Sequence, residues 1–297
     1  MNITKCGFVA IIGKPNVGKS TLMNGLIGEK VSITANKPQT TRHKMLGVKT
    51  WDKMQIVFVD TPGIHSYQKK VMNRLMNKEA KAALEDLDLA LVVIEAKNFN
   101  DEDLQVLQLL DRISCPVILV INKIDKLQRK DELLPVIERI SKEYKFTEIV
   151  PVVAIKYEDL NPLLRVIEKY IPYGHFHFAE DSKTDKDLNY RLAEIIREKL
   201  TRRLDQELPY AITVGIEKYE KKENVTVIHA VIWVERKNQK SIVIGKQGSQ
   251  IKEVGILSRE DMEKILKTKV HLELWVKVRT DWSEDQTALS SIGLFDH

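Results

Sequence analysis

The chain has 297 residues, 43% apolar and 30% charged, with a net charge of +5, the balance of a soluble globular protein of two domains or one large one. Its two cysteines, Cys6 and Cys115, stand beside apolar runs without metal-ligand spacing, which speaks against a disulfide framework and for two buried thiols in a reducing compartment. With so short an N-terminal apolar run no secretory signal is expected, and with no eighteen-residue apolar stretch no membrane-spanning helix is expected.

The first predicted element is a strand, Phe8 to Ile12. It runs into Gly13, Lys14, Pro15, Asn16, Val17, Gly18, Lys19, Ser20 and Thr21, and a helix is expected from Thr21 to Ile27. Glycines at 13 and 18 followed by Lys19 and Ser20 fit the phosphate-loop pattern in its strand–loop–helix setting. Backbone amides and the helix N-terminus would cradle phosphate oxygens. Lys19 would reach the β- and γ-phosphates, and Ser20 would offer its hydroxyl to Mg²⁺.

A polar loop, Gln39, Thr40, Thr41 and Arg42, precedes a second strand, Ile56 to Val59, which ends in Asp60, Thr61, Pro62 and Gly63. Asp60 at the end of a parallel strand could hold Mg²⁺ through water, and the Gly63 amide could bond a γ-phosphate. The loop would lose that anchor when the phosphate leaves. Ile64 follows and has no polar atom with which to orient an attacking water.

Strands Leu89–Ile94, Val117–Ile121 and Ile149–Val153 then alternate with amphipathic helices, Leu104–Ile113 and Leu133–Tyr144. This predicts an α/β domain with a mostly parallel sheet covered on both faces. Asn122, Lys123, Ile124 and Asp125 follow the fourth strand. A carboxylate only accepts hydrogen bonds. Guanine presents a ring N–H and an exocyclic amine side by side, whereas adenine would oppose Asp125 with a lone pair. In the order phosphate loop, DTPG, NKID, the chain resembles the Ras-like guanine-nucleotide-binding proteins over residues 1 to about 172, with a P-loop NTPase fold.

That resemblance implies GTP and GDP as ligands, Mg²⁺ as cofactor and GTP hydrolysis as the reaction. Thr40, Thr41, Asp60, Thr61, Pro62, Gly63 and Ile64 fall on its switch segments. QTTR is similar to the TrmE–Era class, which implies Thr41 as a metal ligand when GTP is bound; Thr40 and Arg42 fit a solvated loop equally well. In that class an asparagine in the phosphate loop holds K⁺, so Asn16 has two readings, a K⁺ ligand or plain turn chemistry. With Ile64 where Ras has a glutamine, intrinsic hydrolysis is expected to be slow, about 10⁻⁴ to 10⁻³ s⁻¹ by analogy with unassisted Ras. Relatives carry a Ser-Ala pair after the last strand. Here Val153 stands for the serine, which loses a side-chain brace and leaves the Ala154 amide to meet the guanine carbonyl.

Pro172, Tyr173, Gly174 and a polar run from Glu180 to Asp187 interrupt the alternation, and a linker is placed over residues 173–187. A helix follows from Leu188 to Leu204, then strands Ala211–Tyr219 and Val225–Glu235, the segment Gly245, Lys246, Gln247 and Gly248, a helix to about Lys267 and a strand Val270–Val278. Helix, strand, strand, helix, GxxG, helix, strand is the order of an α+β type II KH domain, here residues 188–280, with a tail at 281–297. With IREK at 196–199, IGKQG at 244–248 and HLELWVKV at 271–278, the whole chain resembles the Era family.

The two glycines would let an RNA backbone approach closely, with Lys240, Lys246 and Lys252 near its phosphates. Residues 173–297 carry 21 basic against 21 acidic residues, so an RNA claim rests on the local patch Arg236 to Lys252, which has five basic residues and no acid. The resemblance implies binding near the 3′ end of 16S ribosomal RNA, on the precursor of the 30S ribosomal subunit, and not DNA. It further implies a cytoplasmic protein with a peripheral contact at the inner membrane surface, for which the charge balance supplies no reason. A tRNA-modifying GTPase would need folate-binding and cysteine-bearing segments that are not visible. A nucleotide-sensing RNA-binding protein with negligible hydrolysis stays open because of Ile64. Trp275 fits core or RNA-facing positions equally, His271 reads as structural, and Trp282 has no assigned role.

Overall fold

The computed structural model describes residues 3–35, 37, 40–42, 44–61, 86–205, 208–280 and 282. It divides into two compact units, one comprising the described residues of 3–34, 41–61 and 86–185, the other residues 35, 37 and 40 together with the chain from Lys186. Pro62, Gly63, Ile64 and the tail beyond Trp282, with Gln39, lie outside the described residues.

The first unit is built on a six-stranded sheet of order β2-β3-β1-β4-β5-β6. Its strands are β1 (Lys5–Ile12), β2 (Met45–Trp51), β3 (Met54–Asp60), β4 (Leu89–Glu95), β5 (Val117–Asn122) and β6 (Glu148–Pro151). β2 runs antiparallel to β3, and the other neighbours are parallel. All seven residues of β4 and all six of β5 are buried, as expected for central strands covered on both faces. The helices are α1 (Lys19–Ile27), α2 (Asp101–Leu107), α3 (Leu133–Glu143) and α4 (Asn161–Glu168). The parallel strands end at Ile12, Asp60, Glu95 and Asn122, so the phosphate loop, the Asp60 loop and the NKID loop share one edge, where α/β sheets bind ligands.

Two elements differ from expectation. β2 is an additional strand; it forms because Met45 and Val48 bury themselves along β3. The helix expected at Leu104–Ile113 begins earlier and ends sooner. Asn100 caps it at Asp101, and it stops at Leu107 before a separate 3₁₀ turn, Leu110–Arg112. Cys6 is buried, whereas Cys115 is only half-buried, at the turn that enters β5.

Residues 173–185 lie along the edge of this unit. The Gly174 amide donates to the Thr4 carbonyl (3.1 Å), and the Gln55 side chain accepts from the amides of His177 and Phe178 (2.9 and 3.0 Å). The Val48 amide donates to the Lys183 carbonyl (2.8 Å), which covers the outer side of β2. A capped edge strand is a protected one.

The second unit has a three-stranded sheet, β7 (Ile212–Lys221), β8 (Val225–Val234) and β9 (Lys269–Val278), antiparallel then parallel. Helices α5 (Leu188–Arg203), α6 (Lys237–Ile244) and α7 (Ser249–Leu266) cover one face. Leu192, Ile196, Leu200, Ile228, Ile232, Val254 and Met262 are fully buried in their core. On the other face Trp275 is exposed and stands edge-on to His229 (5.1 Å), so it is not a core residue. His271 lies 3.1 Å from Glu273. Trp282 is fully buried, a packing role that its place in a polar tail did not announce.

Candidate nucleotide site and GxxG loop

The phosphate loop connects β1 to α1, and two of its glycines are imposed by close contacts. A Cβ on Gly13 would lie 2.5 Å from the Val93 carbonyl oxygen. Gly18 has φ +105°, and a Cβ there would lie 2.4 Å from Asn122 Nδ2. Asn16 has φ 64°, the left-handed turn conformation that asparagine tolerates, and its side chain is exposed. That geometry is what turn chemistry requires. Val17 is buried, Pro15 and Thr21 are half-buried, and Lys19 and Ser20 open α1.

The Lys19 ammonium donates to the carbonyls of Gly13 (2.8 Å) and Lys14 (2.9 Å). Burial pulls its pKa down to about 8, against the pull of Asp60. An arriving polyphosphate would supply the anionic partner that burial withholds.

Ser20, Thr41 and Asp60 converge from three separate segments. Ser20 Oγ lies 2.7 Å from Asp60 Oδ2 and 2.9 Å from Thr41 Oγ1, with Thr41 Oγ1 3.4 Å from the same carboxylate oxygen. Ser32 adds a hydroxyl at 3.2 Å. Asp60 is fully buried, and its Oδ1 has no hydrogen-bond partner among the described residues. Burial raises its pKa, while Lys19 and the three hydroxyls pull the other way. One carboxylate with hydroxyl oxygens fits Mg²⁺, which keeps several of its waters and takes the rest of its shell from phosphate. Bound there, the ion would neutralise charge on the phosphates. The Thr61 hydroxyl is occupied by the Ile11 carbonyl (3.1 Å). Thr40 and Arg42 are both buried, so they do not form a solvated loop. Thr40 Oγ1 donates to the Lys37 carbonyl (2.6 Å).

Asn122 ties three loops together. Its Nδ2 donates to the Val17 carbonyl (2.8 Å), and its Oδ1 accepts from the amides of Lys123 (2.8 Å) and Ala154 (3.0 Å). Lys123, at φ 59°, donates from its ammonium to the Asn16 carbonyl (2.7 Å) and to Glu95 (2.8 Å). Glu95 also receives Lys126 (2.9 Å). Burial acts to raise the Glu95 pKa, but the two ammonium groups outweigh it and the carboxyl lies below its usual range. Asp125 is exposed, with no partner among the described residues, so its carboxylate oxygens are open to donors. The Ala154 amide differs from expectation. It is spent on Asn122, because that carboxamide oxygen would otherwise lack a second donor in a buried position. The Ile155 amide has no partner among the described residues, and its side chain is exposed.

In the second unit the GxxG loop joins α6 to α7. Gly245 has φ 76° and Gly248 φ 74°, and Gln247 between them is also left-handed at φ 51°. A Cβ on Gly245 would lie 2.7 Å from that of Gln250, whereas Gly248 faces open space. Lys246, Gln247 and Lys252 are exposed and Lys240 is half-buried. Ile242 and Ile256 expose apolar surface on the two helices that flank the loop. The Gly245 and Gly248 amides are bonded to the carbonyls of Ser241 (2.9 Å) and Gly245 (3.1 Å), so what the loop offers a phosphodiester chain is close approach at the bare Gly248, edged with lysines. Sequence reasoning missed Lys14's ion pair with Asp103 and the Glu95 bridge, because both join residues far apart in the chain.

Comparison with known proteins agrees in both units. Residues 8–123 match the family model described as "50S ribosome-binding GTPase", and residues 207–283 match the KH domain model. The chain is 48% identical to GTPase Era of Xylella fastidiosa strain M12 over 289 residues, 97% of each chain. It is 46% identical to GTPase Era of Yersinia enterocolitica, over 99% of this chain and 97% of that one. Among solved structures it is similar to Era in complex with MgGDPNP and nucleotides 1506–1542 of 16S ribosomal RNA. The TM-score is 0.93 and the identity 43%, covering 98% of this chain and 99% of that one. A single-substitution variant of Aquifex aeolicus Era bound to GDP and AlF₄⁻ matches with the same TM-score, identity and coverage. Likeness at this level along the whole chain, with both the phosphate loop and the GxxG loop in place, makes this chain a member of the Era family of GTPases.

Proposed function

We infer that this GTPase binds the 3′ region of 16S ribosomal RNA and acts in assembly of the 30S ribosomal subunit, with bound nucleotide setting its grip on the RNA. The observation that carries the reading is Asn122, which holds the phosphate loop, the Lys123 turn and the Ala154 loop together while Asp125 stays open to a base. The likeness to a structure holding MgGDPNP and a 16S RNA segment supports the rest. Lys19 and the backbone amides of the phosphate loop over residues 13–21, Pro15 having none to give, take the phosphates; Ser20, Thr41 and, through water, Asp60 take Mg²⁺. Pro62, Gly63 and Ile64 complete the switch with Thr40 and Thr61. The guanine carbonyl is met by the free Ile155 amide, beside Ala154. In the second unit Gly245, Lys246, Gln247 and Gly248, with Lys240 and Lys252, hold the RNA backbone.

Residues 1–172 form the GTPase domain, 173–187 the connection, 188–280 the KH domain and 281–297 the tail. Intrinsic turnover is slow because Ile64 cannot orient water. K⁺ at Asn16 would add positive charge beside the phosphates; equal rates in KCl and NaCl would remove it. The protein works in the cytoplasm, and a peripheral membrane contact rests on family resemblance alone. Among the described residues no helix is long and apolar enough to cross a membrane.

The test is phosphate release with and without RNA carrying the 16S 3′ sequence. RNA-dependent release supports the reading. A negligible rate in both conditions favours a nucleotide-sensing RNA-binding protein instead, the reading that Ile64 keeps open.

A further inference from the structure

Lys14 sits in the phosphate loop, yet its side chain is buried and reaches the loop that follows β4. Its ammonium donates to Asp103 Oδ2 (2.7 Å), Asn100 Oδ1 (3.0 Å) and the Asn98 carbonyl (2.5 Å). Three donors meet three acceptors, which saturates the group. The acceptors are not loose loop atoms. Asn100 is the N-cap of α2, and the Asp103 carboxylate accepts the Asn100 amide (3.0 Å), so both belong to a closed capping box. Lys14 is thereby fastened to a helix end, and side-chain exposure across the pair is 8% and 1%.

The backbone of the same residue does something else. Its carbonyl, together with that of Gly13, is what the Lys19 ammonium donates to. Gly13 is itself pressed onto the Val93 carbonyl at the end of β4. Both carbonyls that aim Lys19 are therefore referenced to β4 and the loop beyond it, one by backbone packing and one by the buried ion pair.

We propose that Lys14 is a positioning residue for GTP hydrolysis, whose buried pair with Asp103 fixes the carbonyl cradle that aims Lys19 at the phosphates. This rests on the nucleotide-site reading above. Stability alone is a weak reason for the pair, since a buried ion pair is often matched or bettered by apolar residues of similar volume. Its burial raises the Asp103 pKa, against the pull of Lys14 and the Asn100 amide, and leaves Asp103 Oδ1 without a partner among the described residues. What an apolar pair would not supply is a directional hold on the loop. A reacting group misplaced by about 1 Å can cost a hundredfold in rate. Lys19 meets GTP through one more phosphate than GDP, so loss of aim should fall harder on the triphosphate.

The experiment compares the parent chain, Lys14→Met, Asp103→Asn and the double variant Lys14→Met/Asp103→Leu, in thermal midpoint, affinity for GTP and GDP, and single-turnover phosphate release. Lys14→Met leaves a buried carboxylate unpaired and should lower both midpoint and turnover. The double variant removes both charges and should return the midpoint to within about 3 °C of the parent. Its turnover should stay about tenfold or more below the parent, with a reduced ratio of GTP to GDP affinity. A double variant that regains both midpoint and turnover overturns the proposal, because the pair is then structural only. If the double variant does not fold, Asp103→Asn decides: parental turnover with an unchanged GTP to GDP ratio overturns it, and a fall in both supports it. The parent's own turnover, measured alongside, tests the underlying site reading separately.

Discussion

Asn122 shows how much one side chain can organise. Its carboxamide uses both donor and acceptor ends on backbone groups of three loops, which places an exposed Asp125 at a fixed distance from the phosphate loop. Gly18 exists to admit it, since any Cβ there would strike Nδ2. Glu95 supports the same turn from below by bridging Lys123 and Lys126. Its folded carboxyl has a lowered pKa, so its stabilisation is fully present above the ordinary glutamate range and is lost as pH falls through the folded value. Glu95→Gln should therefore cost about 1–2 kcal/mol at pH 7, with the gap to the parent closing as pH drops below about 4.5. Urea unfolding at a series of pH values checks this. A gap that is constant from pH 7 to pH 3 would show that the carboxylate charge contributes nothing.

Elements came through the sequence unevenly, and the reasons are physical. β4 and β5 were legible because strands buried on both faces read as unbroken apolar runs. β2 was not, because its burial is partial along most of its length and its alternation broken. The true start of α2 was written in Asn100 and Asp103, a capping signature that an apolar pattern starting at Leu104 overlooks. The phosphate loop, NKID and GxxG are local in sequence and were readable. The pairings of Lys14 with Asp103 and of Ala154 with Asn122 were not, because only the folded sheet brings those residues together. The GxxG loop between α6 and α7 offers a prediction at this scale. Lys246→Ala and Lys252→Ala should each weaken RNA binding across sequences and lower the slope of log affinity against log salt by about 1. Filter binding at several KCl concentrations measures it. An unchanged slope would place these exposed lysines away from the phosphates.

At the scale of the whole molecule, thermodynamics constrains the proposed control of RNA binding by nucleotide. If GTP tightens binding of the 16S 3′ sequence relative to the nucleotide-free protein, the RNA must tighten GTP binding by the same factor, because both measure one coupling free energy. Titrating a non-hydrolysable GTP analogue with and without RNA, and the reverse, should return equal factors above one. A factor of one in both directions would mean that the nucleotide does not control the RNA grip. The central claim remains that Asp125 selects guanine, and the most direct measurement is the affinity of Asp125→Asn for GTP and for xanthosine triphosphate. Xanthine carries a carbonyl where guanine has its exocyclic amine, so an asparagine can donate to it where an aspartate cannot. The parent should prefer GTP by about a hundredfold or more, and the variant should lose that preference or invert it. A variant that keeps the parental preference for GTP would contradict the account.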